Sequence, residues 1–463
     1  MIARRTVLKG AVAVGAGLAA QGCAGDAEPP SPPVQDAAGH LVWRNWSGQL
    51  HSYPAERVAP ASEEAVADLL RKAPAPIRPV GAGHSFSALV PTDGTLVTLD
   101  GLTGVIAHDA RGLRATVRAG TRLGDLGPAL AAIGQEMPNL PDVNKQSLAG
   151  ALSTATHGTG RAFKALHGDV LAFRIATPAG GLVDCDATRN PELFQAARVG
   201  LGAFGVLTQV TLQNAALARV KKRVEPRPLA DILDAWPALA AAHRNVEFFA
   251  IPFTGIGATI TLDEVTEAVR PRGPDEDAGT LMELKRLRDW TSRMPFVRRW
   301  IAEKVLAPNF EPTEAVDEGW KLLSNERPIR FNEMEYHVPF EAQVPALRAV
   351  VAAIEAHCPD VFFPVEARVI AADDAWLSPF YGRLSGSIAV HAYYKDEFRV
   401  LFDLVEPIFR RYDGRPHWGK MHSLKAADLA ALYPKFEDAR RVRASVDPAG
   451  RMLNAYLREV FGA

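Results

Sequence analysis

The chain has 463 residues, 48% hydrophobic and 23% charged, a composition that excludes wholesale disorder and leaves room for two self-sufficient cores. Its 52 basic and 53 acidic residues give a net charge of −1, so there is no basic excess to grip a phosphate backbone and no nucleic-acid partner is expected. Three cysteines, Cys23, Cys185 and Cys358, are too few and too scattered for a disulfide framework or a zinc site.

Arg4-Arg5-Thr6-Val7-Leu8-Lys9 precedes a Gly/Ala/Val run from Gly10 to Ala20 that is too short and too weakly apolar for a membrane span. Residues 1–25 therefore read as a bacterial twin-arginine export signal, which predicts a periplasmic protein or one held on the outer side of the inner membrane. Cys23, after Ala20-Gln21-Gly22, offers a lipid tether; plain cleavage near Ala24 or Gly25 is the other reading. Residues 26–40, with Pro29-Pro30 and Pro32-Pro33, form a polar, proline-rich tether.

Order is expected from Leu41-Val42-Trp43. Ser62 caps a helix over Glu63–Leu70, and a strand Ile77–Val80 runs into Gly81-Ala82-Gly83. Small residues there let the backbone approach a bulky group, while His84 and Ser85 present an imidazole and a hydroxyl beside it. The loop lacks the third glycine and the following helix of a dinucleotide fingerprint. Thr92-Asp93-Gly94 turns into a strand Leu96–Leu99. Strands at Val105–Ala107 and Arg114–Val117 follow, then a helix Leu123–Ile133 ended by Gly134. Residues 137–160 hold so many small and hydroxyl side chains that they bury little apolar area, yet they offer a row of N–H and hydroxyl donors to an anionic ligand. The Leu148/Leu152 spacing argues that this region is ordered. Strands Val170–Thr177 and Gly205–Leu212 enclose a helix near Pro191–Ala197 and a tight turn over residues 200–205.

After Ala216 the pattern changes to long alternating strands: Val246–Ile251, Ala258–Leu262, Ile329–Val338, Val361–Ile370 and Gly386–Tyr394, read as an antiparallel sheet. Leu281–Val305 is a basic amphipathic stretch with Trp290, Phe296, Val297, Trp300 and Ile301; a helix packed on the sheet is the favoured reading and a membrane-surface face the other. Glu366 and Arg368, two apart on a strand, project from one face. His417 and His422 have no carboxylate at zinc-ligand spacing, so no metal is expected. No Gly-x-Ser-x-Gly elbow supplies a hydrolase nucleophile.

The Gly81–Ser85 loop resembles the pyrophosphate loop of vanillyl-alcohol-oxidase-type flavoproteins. Together with residues 137–160, Gly200-Leu201-Gly202-Ala203-Phe204-Gly205-Val206, Glu366-Ala367-Arg368, His417-Trp418-Gly419-Lys420 and residues 447–457, it makes the chain similar to the aldonolactone oxidase group, with alditol oxidases as cousins. The resemblance implies an α+β fold: a two-subdomain FAD-binding domain of the vanillyl-alcohol-oxidase / p-cresol-methylhydroxylase type over 41–215, a cap domain with a large antiparallel sheet flanked by helices over 216–400, and a C-terminal segment 401–463 returning to the flavin. By the same resemblance Gly81, Ala82, Gly83, His84 and Ser85 bind FAD, with His84 bonded covalently to it. Asn139, Ser147, Gly150, Thr154, Ala155, Thr156 and His157 match a second cofactor loop, and Val206 a backbone contact. Glu366, Arg368, His391 and Lys420 match catalytic positions on the substrate side. Tyr393, where alditol oxidases carry threonine, favours a lactone over an open polyol. The implied activity is hydride transfer from a sugar lactone to FAD, with oxygen, a quinone or a cytochrome as acceptor. An alditol oxidase, or a non-catalytic electron-relay flavoprotein, are the rival readings.

Overall fold

The structure, a computed structural model, describes residues 28–273, 277–291, 294–302, 304 and 311–463, so the expected export signal, Cys23 and Val305 lie outside the described residues. Two units are delimited, Met1–Ser31 and Pro32–Ala463. Residues 28–31 of the first carry no regular secondary structure, and all the described helices and strands belong to the second. Among the described residues no helix is long and apolar enough to cross a membrane.

Ser62 caps the helix Glu63–Lys72 by accepting from the Ala65 N–H, and Val66, Ala67 and Leu70 form its buried stripe. Each fully buried Leu or Val contributes roughly 1.5–3 kcal/mol, so this helix is held mainly by its apolar face. The strand Ile77–Val80 pairs in parallel with Thr95–Thr98, which also pairs in parallel with Glu56–Val58. The Thr92 hydroxyl accepts from Gly94 N (3.1 Å) and donates to Pro76 O (2.8 Å), building the turn that precedes the central strand. A five-stranded antiparallel sheet lies beyond, in the order Gly181–Asp186, Val170–Thr177, Val206–Gln213, Arg114–Arg118, Val105–Asp109. Both sheets belong to the N-terminal part of the chain.

The rest of the chain builds one eight-stranded antiparallel sheet, in the order Thr313–Glu318, Arg219–Pro228, Ile256–Glu264, Asn245–Ile251, Val365–Ile370, Ser385–Tyr393, Phe331–Pro339, Arg415–Pro416. Helices Leu229–Ala242 and Gln343–His357 cover one face; Trp236 is fully buried there and donates to Gln343 Oε1 at 2.7 Å. The C-terminal residues turn back to the N-terminal part. Ile77 N donates to Arg451 O (2.8 Å), and Ala179 N to Val446 O (3.1 Å).

Several elements depart from expectation. The stretch Leu281–Val305 is two helices, Asp277–Thr291 and Pro295–Ile301, because Pro295 starts a new helix rather than continuing the old one. Their inner face packs on the sheet region: Leu281 and Leu284 lie against Phe362, Phe363 and Tyr393. The strand expected from Val361 begins only at Val365, after Pro364. Within 137–160, Ser147 caps a short helix, Leu148–Ser153, whose Leu148 and Leu152 are buried.

Candidate active site

The strand Ile77–Val80 runs into a loop that lines a solvent-open cleft. Gly81, Ala82, Gly83, His84 and Ser85 line it, with Ser147, Gly150, Thr154 and Thr156 from the second loop and Gly202 and Val206 from a third segment. His417, Gly419 and Lys420 enter from the C-terminal segment. Gly83 has φ +69°, which a side chain would strain, and a Cβ at Gly81 would overlap Ser147 Oγ. Among the described residues, no protein acceptor takes the N–H groups of residues 82–85. Small residues that pack the two loops closely, free N–H donors and a row of hydroxyls suit an elongated, anionic, flat ligand such as FAD.

Three of the expected cofactor residues do not line this cleft. Asn139 spends its amide on the Thr159 carbonyl (3.0 Å) and its Oδ1 on Leu140 N (3.0 Å), bracing the loop from behind. Ala155 is buried in the left-handed region at φ +59°. His157 lies between the Gly158 carbonyl and Glu335, each at 2.8 Å. Conversely, Arg78 carries a role that its place in the sequence does not announce. It is 1% exposed and donates to the carbonyls of Leu89 (2.7 Å), Leu201 (2.7 Å), Gly202 (2.8 Å) and Met452 (2.5 Å), gathering three separate segments around the cleft. An arginine within a short strand that runs into the glycine loop was the available signal.

His84 stacks on Trp46 with ring centroids 5.1 Å apart and planes at 25°. Burial, then the charges of Lys420 and Arg122, push its pKa down to about 4, so the imidazole is neutral at ordinary pH with an unshared nitrogen pair. His417 is pushed down to about 3, chiefly by burial, and accepts from Gly419 N at 3.0 Å, fixing the turn that presents Lys420.

The register of the large sheet gathers the remaining polar groups. Glu247 pairs with Arg368, Arg368 with Ser387, and Ser387 with His337; Glu366 pairs with Ala389 and Ala389 with Glu335; His391 pairs with Glu333. Cross-strand partners share a face, so one face of four adjacent strands carries all of these side chains. Arg368 Nη2 is 2.6 Å from Glu366 Oε1 and its Nε 2.7 Å from Glu247 Oε2. Burial raises the Glu366 carboxyl to about 7 although Arg368 opposes it, with Glu247 adding to the rise. Arg368 is held above its usual value: Glu247 and Glu366 outweigh its burial, and it stays charged.

His391 Nδ1 lies 3.2 Å from the Pro364 carbonyl, to which it donates, leaving Nε2 as the basic nitrogen. Nε2 is 3.6 Å from Glu333 Oε1, and Glu333 Oε2 pairs with Lys420 Nζ. Burial depresses the His391 pKa, but Glu333, with Glu366 adding to it, outweighs burial and the net shift is upward. Glu333 itself is pulled down to about 2, as Lys420 and His391 outweigh its burial. Phe331 meets the His391 ring edge-on at 5.0 Å and Phe363 stacks on it at 6.0 Å. Glu333 and Glu335 are not predictable as site residues from the sequence, since acidic residues alternating on a strand ordinarily mark a solvated face.

Neither Glu366, Arg368 nor His391 lines the cleft itself; among the four expected catalytic residues Lys420 does, and Glu333 links it to His391. The buried atoms of His157, Glu335 and His337 also come within 4.8 Å of one another, a metal-like grouping. Glu335 lies 2.8 Å from His157 Nε2 and accepts from the Ser387 hydroxyl, whereas among the described residues neither ring nitrogen of His337 has a hydrogen-bond partner.

A family model described as D-arabinono-1,4-lactone oxidase matches residues 210–460, and one described as FAD binding domain matches residues 54–186. L-gulono-1,4-lactone dehydrogenase of Mycobacterium tuberculosis is 34% identical over 432 residues, which span 91% of this chain and 99% of that protein. L-gulonolactone oxidase of Bos taurus is 30% identical over 438 residues, 91% and 98% of the two chains. A solved solvent-stable cholesterol oxidase superposes with a TM-score of 0.73 at 17% identity, over 91% of this chain and 97% of its own, a likeness of fold. The chain belongs to the D-arabinono-1,4-lactone oxidase family, on the FAD-binding fold that its N-terminal part builds.

Proposed function

We propose that this protein oxidises an aldono-1,4-lactone at the carbon whose hydroxyl adjoins the carbonyl, using FAD held in the cleft. The observation that carries this reading is the charged face of the large sheet meeting the cleft at Lys420. FAD, when bound, accepts the hydride; the chain's own residues do the rest. Arg368 donates to hydroxyl or carbonyl oxygens of the lactone, and Glu366 beside it accepts from a hydroxyl or, when protonated, donates to one. His391 Nε2 takes the hydroxyl proton, and the Glu333 carboxylate stabilises the imidazolium that forms. Lys420 supplies positive charge where negative charge develops; one such group is worth on the order of 3 kcal/mol. Phe331 and Phe363 wall His391 from water.

Three finer points belong to the same proposal. The neutral, unshared nitrogen of His84 suits covalent attachment of the flavin. Residues 1–25 suit folded export, which a cofactor loaded before translocation requires, and support a location in the periplasm or on the outer side of the inner membrane, with Cys23 as a tether. The electrons then pass to oxygen, a quinone or a cytochrome. Product analysis tests the substrate class: D-arabinono-, L-gulono- and L-galactono-1,4-lactones should each lose two hydrogens, while xylitol and sorbitol are left unchanged. Turnover of the polyols alone would reassign the chain to the alditol-oxidase reading.

A further inference from the structure

We propose that Glu333 is a shared counter-ion that couples the proton accepted by His391 to the positive charge Lys420 presents to the flavin cleft. The inference rests on the lactone-oxidising reading above and concerns how its two charge movements are balanced.

Glu333 is 4% exposed and sits on the strand Phe331–Pro339 directly opposite His391. Its two oxygens serve different masters: Oε2 pairs with Lys420 Nζ, and Oε1 lies 3.6 Å from His391 Nε2. A carboxylate buried this deeply is retained only when compensated. With His391 neutral, the carboxylate and the ammonium cancel. When the hydroxyl proton reaches His391 Nε2, the three groups together carry one positive charge. In the same step the substrate C–H bond would break and its two electrons would leave as hydride, adding one negative charge to a bound flavin and leaving a ketone. Glu333 thus links the new positive charge to the ammonium that lines the cleft. Without Glu333, the imidazolium would form next to an uncompensated ammonium.

Other charged groups face this trio. Glu335 lies two residues along the same strand and disfavours ionisation of Glu333; Glu366, on the neighbouring strand, favours protonation of His391, whereas Lys420 opposes it. His84 and His417, on the cleft side, feel Lys420 directly. None of these groups bridges His391 and Lys420 as Glu333 does.

The test uses the full-length flavin-loaded protein and the variants Glu333→Gln and Glu333→Asp. With its counter-ion gone, His391 stays neutral to lower pH, so the acid limb of the flavin-reduction rate should move down by about 1–3 pH units in Glu333→Gln. Lys420 is then no longer neutralised, so sulfite, an anion that adds to oxidised flavin, should bind about tenfold tighter or more, followed by absorbance in the absence of any lactone. Glu333→Asp, keeping the charge, should return both readouts most of the way to wild type. An unmoved limb and unchanged sulfite affinity, at wild-type flavin content and circular dichroism, would make Glu333 a structural residue and overturn the proposal. Should Glu333→Gln fail to fold, Glu333→Ala removes the same charge, and an unmoved limb with unchanged sulfite affinity in that variant would overturn it equally. If no lactone reduces the wild-type flavin, the functional reading fails, and the sulfite arm alone still decides whether Glu333 screens Lys420.

Discussion

Replacing Glu366 by Gln removes a carboxyl that burial lifts from an ordinary 4.5 to about 7. Below 4.5 the folded and unfolded chains both hold the proton, and the two states are equally titrated at this site. Between 4.5 and about 7 the folded protein keeps a proton that the unfolded chain has lost, so stability falls as pH rises, and the loss is complete once pH passes the folded value. At about 1.4 kcal/mol for each pH unit, that interval is worth about 3 kcal/mol. Glu136 and Asp169, also raised by burial, titrate alike in both proteins and cancel from the comparison. Urea unfolding of wild type and Glu366→Gln from about pH 4 to about pH 8 should show the variant gaining about 3 kcal/mol on the wild type across the range. A difference that stays flat, or moves the other way, would mean that Arg368 keeps Glu366 ionised throughout and that burial does not govern this carboxyl.

Lys420→Met should slow flavin reduction on the order of 10²-fold with a smaller change in lactone affinity, read by anaerobic stopped-flow absorbance. Gly81→Ala forces a Cβ onto Ser147 Oγ and should lower the flavin content of the purified protein; adding Ser147→Ala should restore part of it. In His84→Ala the flavin should be released by acid precipitation that leaves it attached to the wild-type pellet, and the wild-type peptide containing His84 should carry the mass of FAD.

The cleft's glycine loop was legible because conformation and composition agree there: only small residues serve at Gly81 and Gly83. Glu366 and Arg368 were legible as one face of a strand, though not as buried. The acidic pair Glu333 and Glu335 hid for the opposite reason, since residues 332–338 are all buried and the polar face of that strand looks toward protein rather than water. The strands Arg219–Pro228 and Thr313–Glu318 were illegible as well. They lie at or next to the sheet edge, where charged side chains such as Lys221 and Arg223 replace the apolar alternation that marks inner strands. The role of Arg78 needed the folded chain, because its carbonyl partners come from residues 89, 201–202 and 452.

The most direct trial is to mix the purified full-length protein with an aldono-1,4-lactone in the absence of oxygen and follow its visible spectrum. The protein should be yellow, and its flavin absorbance should bleach on mixing and stay bleached until an acceptor is supplied. A colourless protein that takes up no FAD, or a yellow one that no aldonolactone bleaches, would contradict the proposed function.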